Sequence, residues 1–293
     1  MAQASGLAII TGGGRGLGLE FAKSLLRSKL VARAALLDIA GASKAAGELE
    51  GSFGPGCAKG WKADVTDLEG LRAVFNSAAA WAREGGHATR VVINNAGIAS
   101  QGLADSSLAV GINLTAVIEG TNLGYELMKS SGGGTVINVA SFGAFVPMPF
   151  SPVYAATKSA VVALSRSCAH LANPDSDPRT GGPGRERHGK VHVVALCPAF
   201  ADTEIVRAPI RAERGDGPFT QVVAMQGGLM TAGRVAAFAV EIVARCREAE
   251  EADHDDPCAL AGEAVVVLPR AGMVAPPPGF KGDKLSLARP SKL

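Results

Sequence analysis

The chain has 293 residues, 47% hydrophobic and 19% charged, with 29 basic side chains against 27 acidic ones and a formal net charge of +2. That apolar share excludes a largely disordered chain, and the balanced charge excludes the basic footprint of a nucleic-acid binder. No stretch reaches the ~20 apolar residues of a membrane span, and the first residues lack the charged segment of a secretory signal, so a soluble protein is expected.

Taken in chain order, Leu7–Thr11 reads as a buried strand, followed by a glycine-rich turn and a helical pattern over Leu17–Leu26. Ala34–Leu37, Val91–Asn94, Val136–Val139, Val191–Leu196 and Ala264–Leu268 read as further short buried strands. Between them, Leu68–Ala82, Val110–Lys129 and Ala155–Leu171 carry helical spacing. Strands apolar on both faces and separated by helices imply a parallel sheet covered on both sides. The predicted fold is α/β, a doubly wound parallel sheet of the Rossmann type, as a single domain over residues 1–270. Insertions are expected near 173–190 (rich in Gly, Pro, Asp and Arg) and 247–258 (acidic), with a Pro-rich, basic tail over 271–293.

The five cysteines (Cys57, Cys168, Cys197, Cys246, Cys258) form no CxxC pair and read as reduced thiols. His254, Asp255, Asp256 and Cys258 lie close together but inside an acidic run, which reads as a solvated loop, so no metal site is predicted.

Thr11-Gly12-Gly13-Gly14-Arg15-Gly16-Leu17-Gly18 lies between the first strand and the first helix. Glycines there permit a tight turn and close backbone approach to a pyrophosphate, and the free N–H groups at the helix start favour its charge. Asp38 follows the second strand, where a carboxylate accepts hydrogen bonds from the adenosine ribose and repels a 2′-phosphate. NAD is therefore favoured over NADP, with Arg15 pulling the other way as a possible phosphate partner. Asp64-Val65 follows the third strand region, where it meets an adenine edge or serves as a turn or N-cap.

Tyr154 and Lys158, four residues apart at the start of a helical pattern, share a helix face. A phenol is a poor base at neutral pH, and a neighbouring ammonium favours its ionised form. Such a pair can exchange a proton with a substrate oxygen while hydride moves to or from nicotinamide. Ser141 stands thirteen residues before Tyr154, Asn94-Asn95-Ala96-Gly97 ends another strand, and Asn113 lies in the helix that follows.

With Cys197-Pro198 and Thr203 added, these motifs in this order over roughly residues 5–270 resemble the short-chain dehydrogenase/reductase family. The resemblance implies an NAD(P)-dependent oxidoreductase acting on CH–OH groups. It implies Tyr154 as general acid/base, and Lys158 on the nicotinamide ribose. Ser141 would lie on the reacting oxygen, and Asn113 would hold a proton-relaying water. Asn95, Ala96, Gly97 and Pro198 would shape the cofactor cleft, with Thr203 at the carboxamide. The stretch from Ile112 to Tyr154 is similar to the 15-hydroxyprostaglandin dehydrogenase branch, whose members oxidise secondary alcohols on fatty-acid-like chains with NAD. Two departures stand out: Ser151 where that branch has a substrate-binding glutamine, and Ala199 where the family has glycine after the proline. Both leave the reaction type intact and put a prostaglandin-like substrate in question.

Phe142, Phe145, Met148 and Phe150 lie between Ser141 and Tyr154 in a proline-broken loop, which suits an apolar alcohol or ketone. By the resemblance, Glu204–Leu229 would cover the substrate, and the chain would form a homo-dimer or homo-tetramer. The final Ser291-Lys292-Leu293 is a peroxisomal address read by an import receptor, which predicts the peroxisomal matrix. The alternatives are an NADPH-dependent carbonyl reductase and a catalytically silent nucleotide-binding sensor or scaffold.

Overall fold

In the computed structural model of the chain, the residues described are 5–99, 102–103, 106–172, 189–251, 260–269 and 272–275. Strands β1 (Leu7–Thr11), β2 (Arg33–Asp38), β3 (Ala58–Lys62), β4 (Thr89–Asn94), β5 (Gly134–Val139), β6 (Val191–Pro198), β7 (Ala264–Val267) and β8 (Gly272–Ala275) form one sheet. Their order is β3-β2-β1-β4-β5-β6-β7-β8, with seven strands parallel and β8 antiparallel at the edge. β1, β5, β6 and β7 are buried along their whole length because helices cover both faces. The edge strand β3 instead leaves Lys59 and Lys62 exposed, and charges there discourage pairing with another chain.

One face is covered by α1 (Gly16–Arg27), α2 (Ala42–Phe53) and α9 (Ala232–Glu251), which bury Phe21, Leu25, Leu49 and Ile242 against the strands. The other face carries α3 (Leu68–Glu84), whose Leu71 and Phe75 pack on β1 and β2. Beside α3 lie α5 (Ala116–Lys129) and α6 (Pro152–Ser167), which close over β4 to β7. Asp67 caps α3 by accepting from the Gly70 N–H at 3.0 Å.

Three expectations are corrected. The helix read over Val110–Lys129 is broken: α4 (Ser106–Val110) runs into a π-helical turn at Gly111–Thr115 before α5 begins. The acidic run predicted as an insertion is helical in its first part, since α9 continues to Glu251 and amphipathic packing extends it past Glu248. The first residues of the tail read over 271–293 belong to the sheet, because Gly272–Ala275 pairs antiparallel with β7 and satisfies its outer edge. The segment 173–188, the run 252–259 with His254, Asp255, Asp256 and Cys258, and the terminal Ser-Lys-Leu lie outside the described residues.

Sheet order reverses between β1 and β4, which start their crossovers in opposite directions. A crevice opens outside the carboxyl ends of such strands. Thr11, Asn94 and Val139 all terminate strands at that edge, so the motif residues that follow them converge.

Candidate active site

The glycine loop is shaped by contacts that leave no room for side chains. Gly12 has φ +65°, a left-handed value that favours glycine. A Cβ on Gly18 would sit 2.1 Å from the Gly12 carbonyl oxygen, so only glycine lets α1 start this close to the turn. Thr11 Oγ1 accepts from the backbone N–H groups of Asn95 (3.0 Å) and Ala96 (3.1 Å), and Asn95 Nδ2 donates to the carbonyls of Thr11 (3.0 Å) and Gly12 (3.1 Å). These four bonds lock the end of β4 to the loop. Leu17 anchors the helix start in the core under α1.

Asp38 Oδ2 accepts from Gly14 N at 2.9 Å and Oδ1 from Ala40 N at 3.2 Å. Its carboxylate is thus fixed at the rim of the glycine loop, with acceptor capacity left on both oxygens. Arg15 lies on the other side of the loop, lining the cavity described below. Gly16 faces Thr203, whose Cγ2 is 3.9 Å from the position of a Gly16 Cβ, and Pro198 closes β6 nearby. The cradle therefore fits a dinucleotide: an open glycine turn, a helix N-terminus without a side-chain cap, and a fixed carboxylate beyond it. Asp64 takes the turn role, accepting from Thr66 N (2.9 Å) and Thr66 Oγ1 (2.7 Å), and those bonds hold its carboxyl below the usual range. Val65 is buried beside it.

Asn113 is fully buried in the π-helical turn. Its Oδ1 accepts from Ile98 N and its Nδ2 donates to Ile98 O, both at 2.9 Å. The side-chain amide therefore clamps the irregular segment that follows β4 through both polar groups of Ile98. A widened turn of this kind is common at functional sites. A Cβ on Gly97 would lie 3.3 Å from Asn113 Oδ1 and 3.6 Å from Lys158 Nζ, so Gly97, Asn113 and Lys158 meet at one point.

Pro152 at the start of α6 sets the helix that presents Tyr154 and Lys158. Lys158 is buried, donates to the Val139 carbonyl at 2.7 Å, and stands 5.7 Å from the centroid of the Tyr154 ring. Burial brings its ammonium down to about 8. Tyr154 is half-buried, and burial pushes its phenol up, while a hydrogen bond with Ser141 acts the other way. The lowered phenol expected from the lysine does not emerge in the free protein, because desolvation of the phenolate dominates. Ser141 also accepts from Gly143 N at 3.1 Å, which fixes its hydroxyl at the end of β5.

Ser141 and Tyr154 line a cavity of about 660 Å³. Phe142, Met148 and Phe150 form part of its wall, as the sequence suggested, whereas Phe145 is absent from the lining and partly exposed. Ser151 and Ala199, the two departures from the family pattern, both face this cavity.

The far wall comes from α7 (Glu204–Ala212) and α8 (Pro218–Met225), and Phe200 and Phe219 meet edge to face there at 5.4 Å. Glu213 holds the two helices together by accepting from Phe219 N (3.0 Å) and Thr220 N (2.9 Å). The sequence reading missed this cap and the Asn113–Ile98 clamp. Glu213 preceding a Gly-Pro start was the available signal for the first. The second joins residues fifteen apart and had none. Cys197, read from the sequence as a reduced thiol, is buried near Lys158, where desolvation pushes its thiol up to about 12 and leaves it unreactive.

Residues 6–214 match the family model described as short chain dehydrogenase. The chain is 32% identical over 222 residues to 15-hydroxyprostaglandin dehydrogenase [NAD(+)] of Bos taurus, covering 73% of this chain and 75% of the relative. It is 35% identical over 168 residues to 2-(S)-hydroxypropyl-CoM dehydrogenase 3 of Xanthobacter autotrophicus, covering 55% and 63% respectively. Among solved structures, a gluconate 5-dehydrogenase from Burkholderia cenocepacia in complex with NADP and tartrate superposes with a TM-score of 0.71. It shares 23% identity, with 92% of this chain and 95% of that one covered. The chain belongs to the short-chain dehydrogenase family and is an NAD(P)-dependent oxidoreductase of alcohols.

Proposed function

We propose that the protein oxidises a secondary alcohol on a lipid-like chain with NAD as acceptor. The observation that carries this reading is Ser141 and Tyr154 together in the lining of an apolar-walled cavity, with Lys158 buried behind the tyrosine. Gly12 to Gly18, Asn95 to Gly97 and Thr203 would hold the dinucleotide, with Asp38 at the ribose; when bound, NAD supplies the hydride acceptor. Ser141 orients the substrate hydroxyl, and Tyr154 takes its proton as the alcohol becomes a ketone. Lys158, fixed by Val139, places a positive charge behind the phenol and favours its ionised form once the site is filled. Asn113 holds the Gly97–Ile98 segment against that lysine. Phe142, Met148, Phe150, Phe200 and Phe219 exclude water from the reacting carbon and receive an apolar chain.

A fixed carboxylate at Asp38 supports NAD over NADP, because a 2′-phosphate there meets like charge. A lipid-like substrate is supported by the cavity wall and by the hydroxyprostaglandin dehydrogenases among the relatives. Ser151 in that wall argues for a different chain from theirs. The terminal Ser-Lys-Leu supports delivery to the peroxisomal matrix by its import receptor, and the family resemblance supports a homo-dimer or homo-tetramer. An NADPH-dependent carbonyl reductase is the second reading, favoured by Arg15 at the cavity rim.

A panel of secondary alcohols from short alkanols to hydroxy fatty acids, offered with NAD⁺ and with NADP⁺, tests the proposal. Turnover with NAD⁺ that improves with chain length supports it. Preference for NADP⁺, or for short polar alcohols, overturns the cofactor or the substrate assignment respectively.

A further inference from the structure

Beneath the site lies a buried polar network that none of the roles above uses. Asn94 and Asn138 are register partners on β4 and β5, and Asn94 Nδ2 donates to Asn138 Oδ1 at 2.8 Å. The single hydroxyl proton of Thr121 in α5 is shared between Val117 O at 2.7 Å and Asn138 Oδ1 at 3.1 Å, and its oxygen accepts from Asn94 Nδ2 at 3.4 Å. Asn138 Nδ2 in turn donates to Ser165 Oγ of α6 at 3.1 Å. All four side chains are buried. Asn94 Oδ1 is left without a donor, and α5 comes so close that a Cβ on Gly120 would sit 2.1 Å from it.

Each member is linked along its own element to a functional residue. Asn94 precedes Asn95, and Asn138 precedes Val139, whose carbonyl holds Lys158. Thr121 and Ser165 lie about two helical turns beyond Asn113 and Lys158 on the same inward faces. The surrounding contacts are Val117, Val161, Val162 and Ala140, and apolar packing of this kind is non-directional. Hydrogen bonds have fixed lengths and angles, so they select one axial and rotational setting of each helix. An orphaned amide oxygen and a glycine kept for close approach are costs that apolar residues would avoid.

We propose that Asn94, Thr121, Asn138 and Ser165 are positioning residues that set the register of α5 and α6 on β4 and β5, and with it the placement of Asn113, Tyr154 and Lys158. The proposal rests on the catalytic reading of Tyr154 and Lys158, and its test keeps the two separable. Thr121→Val and Ser165→Ala remove the helix partners with little change of volume, and Thr121→Ser and Ser165→Thr retain the hydroxyl.

The first readout is ultraviolet titration of the Tyr154 phenol in cofactor-free protein. The chain has two tyrosines, so Tyr154→Phe isolates the signal. Lys158, Ser141 and Cys197 surround that phenol. In the apolar variants its midpoint moves down toward an ordinary tyrosine as water reaches a loosened site. The hydroxyl-retaining variants restore it. The second readout is the steady-state split, in which kcat falls on the order of 10- to 100-fold while KM for NAD⁺ stays within about twofold.

An unchanged titration in the apolar variants overturns the proposal, as does equal damage in the hydroxyl-retaining ones, which marks a packing role only. If Ser165→Ala does not fold, Thr121→Val alone decides by the same titration. If no alcohol is turned over, the catalytic reading fails while the titration still judges the positioning.

Discussion

Lys158 donates to the Val139 carbonyl at 2.7 Å while its ammonium stands 5.7 Å from the centre of the Tyr154 ring. The lysine is thus pinned to the strand that delivers Ser141, which ties the acid/base pair to the serine.

In the free protein the Lys158 ammonium loses its proton at about 8, below its ordinary 10.5, because burial disfavours the charge. Below about 8 the pair is ammonium plus neutral phenol, and above it the amine is neutral before the phenol ionises. Carbon NMR of the lysine side chains, with Lys158→Met to assign the resonance, reads this directly. An ordinary lysine midpoint contradicts the burial assigned to it.

Asp38→Ser removes a carboxylate that accepts from Gly14 and Ala40. A charged hydrogen-bond partner contributes ~1.5–3 kcal/mol, so the preference for NAD⁺ over NADP⁺ falls by roughly 10- to 100-fold. Competitive binding of the two dinucleotides measures this, and an unchanged ratio places the discrimination elsewhere, with Arg15 as the next residue to test.

Gly18→Ala forces a methyl group to 2.1 Å from a backbone oxygen that cannot rotate away. Overpacking of this kind costs about 1–3 kcal/mol, and relief of it pushes α1 off the glycine loop. Thermal unfolding with and without NAD⁺ shows a lower midpoint and a smaller shift on cofactor addition. A normal cofactor shift contradicts the close approach.

His192 of β6 is fully buried, and neither ring nitrogen has a hydrogen-bond partner. Burial lowers it from 6.5 to about 4, with Lys190 adding to the effect. The unfolded chain therefore binds this proton more readily, and stability falls as pH drops from about 6.5 toward about 4, by up to about 3 kcal/mol. His192→Leu removes that acid dependence and stabilises the fold at neutral pH by ~1–3 kcal/mol. Urea unfolding at pH values across this window checks both, and parallel acid limbs in the two proteins refute the account.

The strand–helix alternation was readable because β1, β5 and β6 are short runs rich in Val, Ile, Leu and Ala and because α1 and α3 show one apolar face. Tyr154, Lys158 and the glycine loop were readable because their chemistry depends on short fixed spacings. Strand β3 was only placed loosely, since an edge strand with Lys59 and Lys62 exposed has no apolar run to announce it. The break at Gly111–Thr115 lies in a stretch of weak helix formers (Gly111, Asn113, Thr115), but its placement coincides with the buried Asn113 bonding to Ile98, a tertiary contact that local sequence does not announce. The raised Tyr154 phenol was likewise out of reach, because it depends on burial and not on its distance from Lys158 along the helix.

The central claim is hydride transfer from a substrate carbon coupled to proton transfer through Tyr154. A secondary alcohol deuterated at the carbinol carbon, incubated with NAD⁺ and the protein, followed by mass analysis of the dinucleotide, tests it most directly. The account predicts one deuterium in the reduced cofactor with the native protein, and a rate lower by about 10²- to 10⁴-fold with Tyr154→Phe, which still binds NAD⁺. Equal rates with and without the Tyr154 hydroxyl, or cofactor binding without any label transfer, would contradict it.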